Sequence, residues 1–287
     1  RTLINSCAAP ISLVGGVTPD SLPFIMPQGI ATPGVPPLLA GHIVVITGAS
    51  SGIGRATALA AAREGADLVF SYQHNQAGAD EVASQVRQLG RRAIVNQADI
   101  SKAEDIGRLS NAAIGEFGRI DAWVNNAGAD ILTGPGAKLS RAEKLDLLLS
   151  VDVRGTLLAS WQAAELMKRQ PDGGVIINTS WDGALRGLAG ENPELFAATK
   201  GAILSFSRSL ARSVAPRVRV NVVAPGWIET AFGEGAPSGF KERVARQIPL
   251  GRWGTPADVA GATIFLASNA ARYMTGQVIA VNGGDFM

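Results

Sequence analysis

Three places in this chain of 287 residues carry residue types at spacings that could do chemistry. The first is Thr47-Gly48-Ala49-Ser50-Ser51-Gly52-Ile53-Gly54, which follows the β-branched run 43–46 and precedes a stretch of helix formers, 55–64, stopped by Gly65. A glycine turn between a strand and a helix brings backbone and the helix's free N–H groups up to a pyrophosphate, with the positive end of the helix dipole behind them. Gly48 permits the tight bend, Gly52 the close approach and Gly54 the contact of helix with strand. The second place is Phe196-Ala197-Ala198-Thr199-Lys200, where a spacing of four sets a phenyl ring and an ammonium on one helix face. The third is Ser180-Trp181-Asp182, which offers a hydroxyl and a carboxyl on either side of a bulky ring.

Composition excludes several other chemistries. With one cysteine, Cys7, and two histidines, His42 and His74, neither a disulfide framework nor a cysteine- or histidine-built metal centre is expected. A net charge of +2 gives no argument for nucleic acid. No apolar run approaches the roughly 20 residues of a membrane span. At 46% hydrophobic and 17% charged, the chain can build a sizeable core.

The elements that must position these residues follow from the patterning. Residues 1–40 contain Pro10, Pro19, Pro23, Pro27, Pro33, Pro36 and Pro37 and read as an irregular arm. The arm fits neither a secretory signal nor an organellar transit peptide, so a cytoplasmic location is expected. Its Leu13, Val14, Leu22, Phe24, Ile25 and Met26 are too apolar for a solvated tail, which predicts that part of it packs on its own domain or on a neighbouring subunit. From Gly41 to the C-terminus, strands alternate with helices, which predicts right-handed crossovers and a parallel sheet covered on both faces. Strands are expected at 43–46, 67–72, 92–96, 120–124, 175–179, 217–223 and 277–281. Helices are expected around 77–89, 102–117, within 141–169, around 194–214, and from Thr255-Pro256 onward, with a loop-rich segment from 224 to 252.

The glycine turn in its Gly-x-x-x-Gly-x-Gly form resembles that of the short-chain dehydrogenase/reductase family, in its 3-oxoacyl-ACP-reductase-like branch. Asn125-Asn126-Ala127-Gly128, Ser180, Lys200 and Pro225-Gly226 follow in the family's order, so the resemblance covers residues from about 41 to the end. It implies an α/β fold: a single-domain, Rossmann-like doubly wound parallel sheet of about seven strands flanked by helices, binding NAD or NADP. It implies that Thr47, Gly48, Ser50, Ser51, Gly52, Ile53 and Gly54 hold the cofactor's phosphates, that Asp99 and Ile100 contact adenine, and that Asn126, Ala127 and Gly128 lie along the adenosine half. Pro225, Gly226, Ile228 and Thr230 then belong to the nicotinamide side, with Lys200 on the nicotinamide ribose. Tyr72 stands where a carboxylate would select NAD, and neither Ser51 nor Gln73 is basic, so the lean towards NADP is small. Arg55 either approaches a phosphate or is a solvated helix residue.

At the chemical end the match departs from the family. The family's proton-transferring Tyr, four residues before the Lys, is Phe196 here, and its Asn is Asp152. The only other tyrosines, Tyr72 and Tyr273, fall elsewhere. Asp152 can keep a water and add a counter-charge for Lys200. Asp182, desolvated beside Trp181, is either the replacement acid or a loop-capping residue beside Arg186. Trp181, Phe196 and Trp227 form an aromatic wall for a flat or apolar small-molecule substrate, or are core. Two functions remain open on the sequence: an oxidoreductase acting on a carbonyl or alcohol with an altered proton source, or a cofactor-binding protein without turnover. Either is expected as a homotetramer or homodimer through the helices of 141–169 and around Phe196.

Overall fold

The computed structural model describes residues 36–286, so the apolar positions of the arm, Leu13 to Met26, lie outside the described residues. Just before Gly41, Leu39 is buried in the core, and its N–H donates to the Glu64 carbonyl at 2.9 Å. The first half of the domain runs β1 (Ile43–Ile46), α1 (Gly52–Arg63), β2 (Asp67–Tyr72), α2 (Gln76–Gln88), β3 (Ala93–Gln97), α3 (Ala103–Phe117) and β4 (Ala122–Asn125). Next come α4 (Arg141–Leu148), a π-helix (Leu149–Gly155), α5 (Thr156–Arg169), β5 (Gly174–Thr179), α6 (Gly183–Arg186) and α7 (Glu191–Val214). The last part is β6 (Val218–Pro225), α8 (Ala231–Gly235), α9 (Ser238–Gln247), α10 (Pro256–Ala267) and β7 (Val278–Val281).

All seven strands pair in parallel in the order β3-β2-β1-β4-β5-β6-β7. Strand order reverses at β1, flanked by β2 and β4, and a crevice opens there at the carboxyl ends. The period of two sends Val44 and Ile46 to one face, under α1, α2 and α10, and Val45 to the other, under α3, α5 and α7. Every residue of β1 is buried because both faces are covered.

Two expectations are corrected. The helix within 141–169 is three pieces, because the backbone widens to π geometry over Leu149–Gly155 between α4 and α5. The segment from 224 to 252 is not mainly loop, since it holds α8 and α9. In addition, α7 starts at Glu191, ahead of Pro193. Proline in a first turn forfeits no helical hydrogen bond, since those N–H groups have no partner within the helix. Among the described residues no helix is long and apolar enough to cross a membrane.

The start of α10 contributes to the domain's behaviour in acid. Asp258 accepts from the Thr255 amide at 2.6 Å and meets the Arg252 guanidinium at 2.8 and 2.9 Å. The Arg252 guanidinium holds the Asp258 carboxyl down from 3.8 to about 2, against the opposing effect of burial. A folded pKa below the unfolded one stabilises above pH 3.8, and the contribution is lost as pH falls towards about 2. Asp258→Asn should therefore cost about 1 kcal/mol at neutral pH, a figure limited by solvent screening of the half-exposed Arg252. Denaturant unfolding of parent and variant at neutral pH and near pH 3 checks this: the gap should narrow in acid, and a constant gap would contradict it.

Candidate active site in the crevice beside the glycine turn

A cleft of about 930 Å³ occupies the crevice, bordered by Ser50, Ser51, Gly52 and Ile53 of the glycine turn and by Gly128, Val151, Phe196 and Thr230. The turn is braced from β4. Buried Thr47 accepts the Asn126 and Ala127 amides on its Oγ1, both at 3.1 Å, and the Asn126 side chain donates to the Gly48 carbonyl at 2.9 Å. A Cβ on Gly54 would fall 2.1 Å from the Gly48 carbonyl oxygen, and one on Gly48 would fall 2.8 Å from Ala127 Cα, so both positions must be glycine. Gly52, at φ +54°, meets only Thr230 Cγ2 at 3.8 Å and leaves its backbone open to the cleft. Exposed backbone at the start of the twelve-residue α1, with no acidic residue in its first turn, is a cradle that fits a pyrophosphate.

Around the predicted adenosine end, Tyr72, Gln73, His74, Asn75, Ala98 and Ile100 line the cleft. Asp99 does not. Burial pushes its carboxyl up, but hydrogen bonds from the Ser101 hydroxyl and amide outweigh this and hold it below the usual range. Arg55 lines the cleft while pairing with Glu81 at 2.6 Å. Arg63 lines it as well, and no motif marks it in the sequence.

The chemical end is built where the π-helix meets α7. Asp152, 1% exposed, accepts the Ala129 amide on Oδ1 at 2.7 Å, and its Oδ2 lies 2.9 Å from Nζ of Lys200, which is 12% exposed. This Oδ2 receives no well-directed hydrogen bond, so the contact with Lys200 is an ion pair by distance alone. Both groups lie under Gly128: a Cβ there would come within 3.4 Å of Asp152 Oδ1 and 3.6 Å of Nζ. Besides the exposed Arg141–Glu194 pair, three contacts tie α4 and the π-helix to α7: Lys144 to Asn192 at 3.2 Å, Leu148 in one apolar cluster with Phe196, and Asp152 to Lys200. Each side steps by four residues, 144-148-152 against 192-196-200, which is how a helix keeps one face towards a neighbour. The first contact was missed in the sequence, because a lysine in an otherwise amphipathic helix reads as solvated. Ser180 is buried and donates to the Lys200 carbonyl at 2.9 Å, which fixes its hydroxyl against α7.

Three predicted placements need correction. The carboxyl of Asp182, 2% exposed, is engaged elsewhere: its Oδ2 accepts from Asn282 at 3.3 Å and lies within 3.0 Å of where a Gly226 Cβ would be. Burial pushes its pKa up, but it borders no part of the cleft, which argues against it as the acid. Trp227 is not part of a wall with Trp181 and Phe196. It stacks with Trp253 at 5.3 Å and Phe240 at 5.5 Å beneath α9, whereas Trp181 meets Phe196 at 6.2 Å. Glu229, Thr230 and Ala231 border the cleft, whereas Pro225, Gly226 and the buried Ile228 do not.

A buried polar network underlies the site. Asn125 of β4 donates to Asn178 of β5 at 2.8 Å and to Ser160 of α5 at 2.9 Å, Trp123 donates to Asn125 at 2.8 Å, and Asn178 donates to Ser207 of α7 at 2.9 Å. Asn125 and Asn178 are register partners, so the network pins the strand ends that carry Asn126 and Ser180 to the helices behind them. Asparagines inside otherwise apolar strands were the available signal.

A doubly wound parallel sheet with a glycine cradle at its switch point is the architecture of the dinucleotide-binding class of folds. A family model described as enoyl-(acyl carrier protein) reductase matches residues 48–285. An uncharacterized oxidoreductase of Methylorubrum extorquens is 41% identical over 253 residues, 86% of this chain and 98% of its own length. A 3-oxoacyl-[acyl-carrier-protein] reductase of Synechocystis is 35% identical over 251 residues, 87% and 98% respectively. The solved short-chain dehydrogenase/reductase of Serratia marcescens superposes with a TM-score of 0.78 at 31% identity, over 86% of this chain and 99% of that one. The chain belongs to the short-chain dehydrogenase/reductase family, a family of oxidoreductases.

Proposed function

We propose that this protein is an NAD(P)-dependent oxidoreductase acting on the carbonyl or alcohol of a small, largely apolar substrate, with Lys200 in place of a tyrosine as the proton-carrying group. The observation that carries the reading is the Lys200–Asp152 pair beneath Gly128, a residue that borders the same cleft as the glycine cradle. When bound, a nicotinamide cofactor supplies or takes the hydride. The turn at 47–54 and the start of α1 would hold its phosphates, Ile100 and Ala98 its adenine, and Thr230 its amide end. Lys200 would reach the ribose and, through one water in the space left beside Phe196, the substrate oxygen. Asp152 keeps that ammonium in place and balances its charge, while Ser180 fixes the α7 backbone at Lys200. Phe196, edge-on to Trp181, gives the substrate end an apolar face.

NADP should bind at least as tightly as NAD, because the second strand ends in Tyr72 in place of a carboxylate and Arg63 adds positive charge at the cleft. Titration of both cofactors tests this, and a preference for NAD above tenfold would overturn it. Assay of a panel of aliphatic and aryl carbonyls with the bound cofactor tests the activity. Tight cofactor binding without turnover of any of them would make this a binding protein.

A homotetramer or homodimer is the assembly we infer. The outer faces of α5 and α7 present a half-exposed Trp161 packed edge-on against Phe206 at 5.7 Å. Light scattering at micromolar concentration should show more than one copy, and a monomer would contradict it.

A further inference from the structure

Beyond the cleft, residues 282–286 meet α6 and the residue that precedes it. We propose that residues 282–286 act as a latch, held by Arg186 and Asp285, that positions Trp181 and so sets substrate affinity at the carbonyl site. The inference rests on the function proposed above for where its effect is read, but not for the contact itself. As a single turn of four residues with no side-chain cap, α6 has little stability of its own. Its position is imposed from two sides. On one, the ends of β5, β6 and β7 converge: the Asp182 amide donates to the Pro225 carbonyl at 3.0 Å, the Gly226 amide to the Val281 carbonyl at 3.0 Å, and Asn282 Nδ2 to Asp182 at 3.3 Å.

On the other side, the Arg186 guanidinium pairs with Asp285 and lies 5.3 Å from the centre of the Phe286 ring. With side chains 27% and 9% exposed, this pair is sheltered enough to outweigh an ordinary surface ion pair. Asn282 fastens the segment to itself as well, donating to the Phe286 carbonyl at 3.2 Å and accepting the Gly284 amide at 3.1 Å. The link to the site is Trp181. Its ring lies so close to α6 that a Cβ on Gly183 would fall 2.3 Å from it, and its edge meets Phe196, which lines the cleft. A shift of α6 must therefore move the Trp181 ring against Phe196, whereas among the described residues no hydrogen bond or ion pair joins the glycine cradle to the latch. Arg186 and Asp285 are positioning residues on this account.

The test uses Arg186→Gln, Asp285→Asn, and the charge-reversed pair Arg186→Asp with Asp285→Arg. Each single variant should raise KM for the carbonyl substrate about three- to tenfold, with kcat little changed. Cofactor affinity should stay at the parent value, which also reports that the variant is folded. Trp181 emission, taken as the difference between each protein and its Trp181→Phe counterpart, should shift in the single variants and return towards the parent in the reversed pair. Phe286→Ala, which removes only the ring, should shift it less and in the same direction, and it replaces the singles should they fail to fold. Parent-like emission in the folded variants, or no recovery in the reversed pair, would overturn the latch. Should the parent turn over no carbonyl, the proposed function fails, and the emission measurements still decide the latch.

Discussion

Replacing Phe196 with Tyr should raise the rate of carbonyl reduction by up to about 10²–10⁴, the contribution of a positioned acid–base group. Phe196 already lines the cleft, one helical turn from Lys200 on the same face of α7, so the added hydroxyl would project from the cleft wall on the face that also carries the ammonium. There the positive charge would favour the phenolate and make the hydroxyl a better proton donor. The gain is limited by fit: the Trp181 ring sits at 6.2 Å, edge-on, and must tolerate one more oxygen. Steady-state kinetics with a fixed carbonyl and saturating cofactor reads the effect, and cofactor affinity should not change. If a structure showed the hydroxyl within hydrogen-bond reach of Lys200 while the rate stayed at the parent value, chemistry would be limited elsewhere.

Lys200→Met should abolish turnover and also cost about 3–5 kcal/mol of stability, the penalty for stranding a buried charge. Asp152 is almost wholly enclosed, with one oxygen satisfied by the Ala129 amide and the other facing only the ammonium. Removing that ammonium leaves a carboxylate inside the protein with a single hydrogen bond. Asp152→Asn added to Lys200→Met should restore most of the stability, since a neutral amide of the same shape no longer needs a counter-charge, but it should restore no activity. Asp152→Asn alone should be tolerated better than Lys200→Met alone, because the ammonium is nearer solvent and the new amide oxygen can accept from it. Denaturant unfolding of the four proteins forms a double-mutant cycle, and the coupling between the two sites should be large. Additive effects would mean that the pair contributes no net interaction, and the reading of Asp152 as the partner of Lys200 would fall. Activity in the double variant would remove Lys200 as the proton carrier.

Much of this molecule was decided locally and could be read along the chain. The glycine turn at 47–54 is such a case: strand, turn and helix are consecutive, and Gly54 is dictated by the Gly48 carbonyl within the turn itself. β1 is wholly apolar, and β2, β4 and β5 each hold three consecutive apolar residues, because a sheet covered on both faces leaves no polar side to alternate with. The absence of a tyrosine four residues before Lys200 is likewise a fact of sequence.

What the sequence could not supply depends on which side chains meet. The widening of the backbone over Leu149–Gly155 has no compositional mark, yet it turns Asp152 inward to Lys200 across 48 positions of chain. Asp182 and Trp227 read as neighbours of the reacting centre because they follow strands that end near it. Only packing shows that Asn282 engages the Asp182 carboxyl, and that Phe240 and Trp253 enclose Trp227. A sequence specifies the direction of a side chain only through element period, and just past a strand end that period has lapsed. There the direction is chosen by whichever partner can satisfy a buried polar group or fill a space, and those partners come from distant parts of the chain.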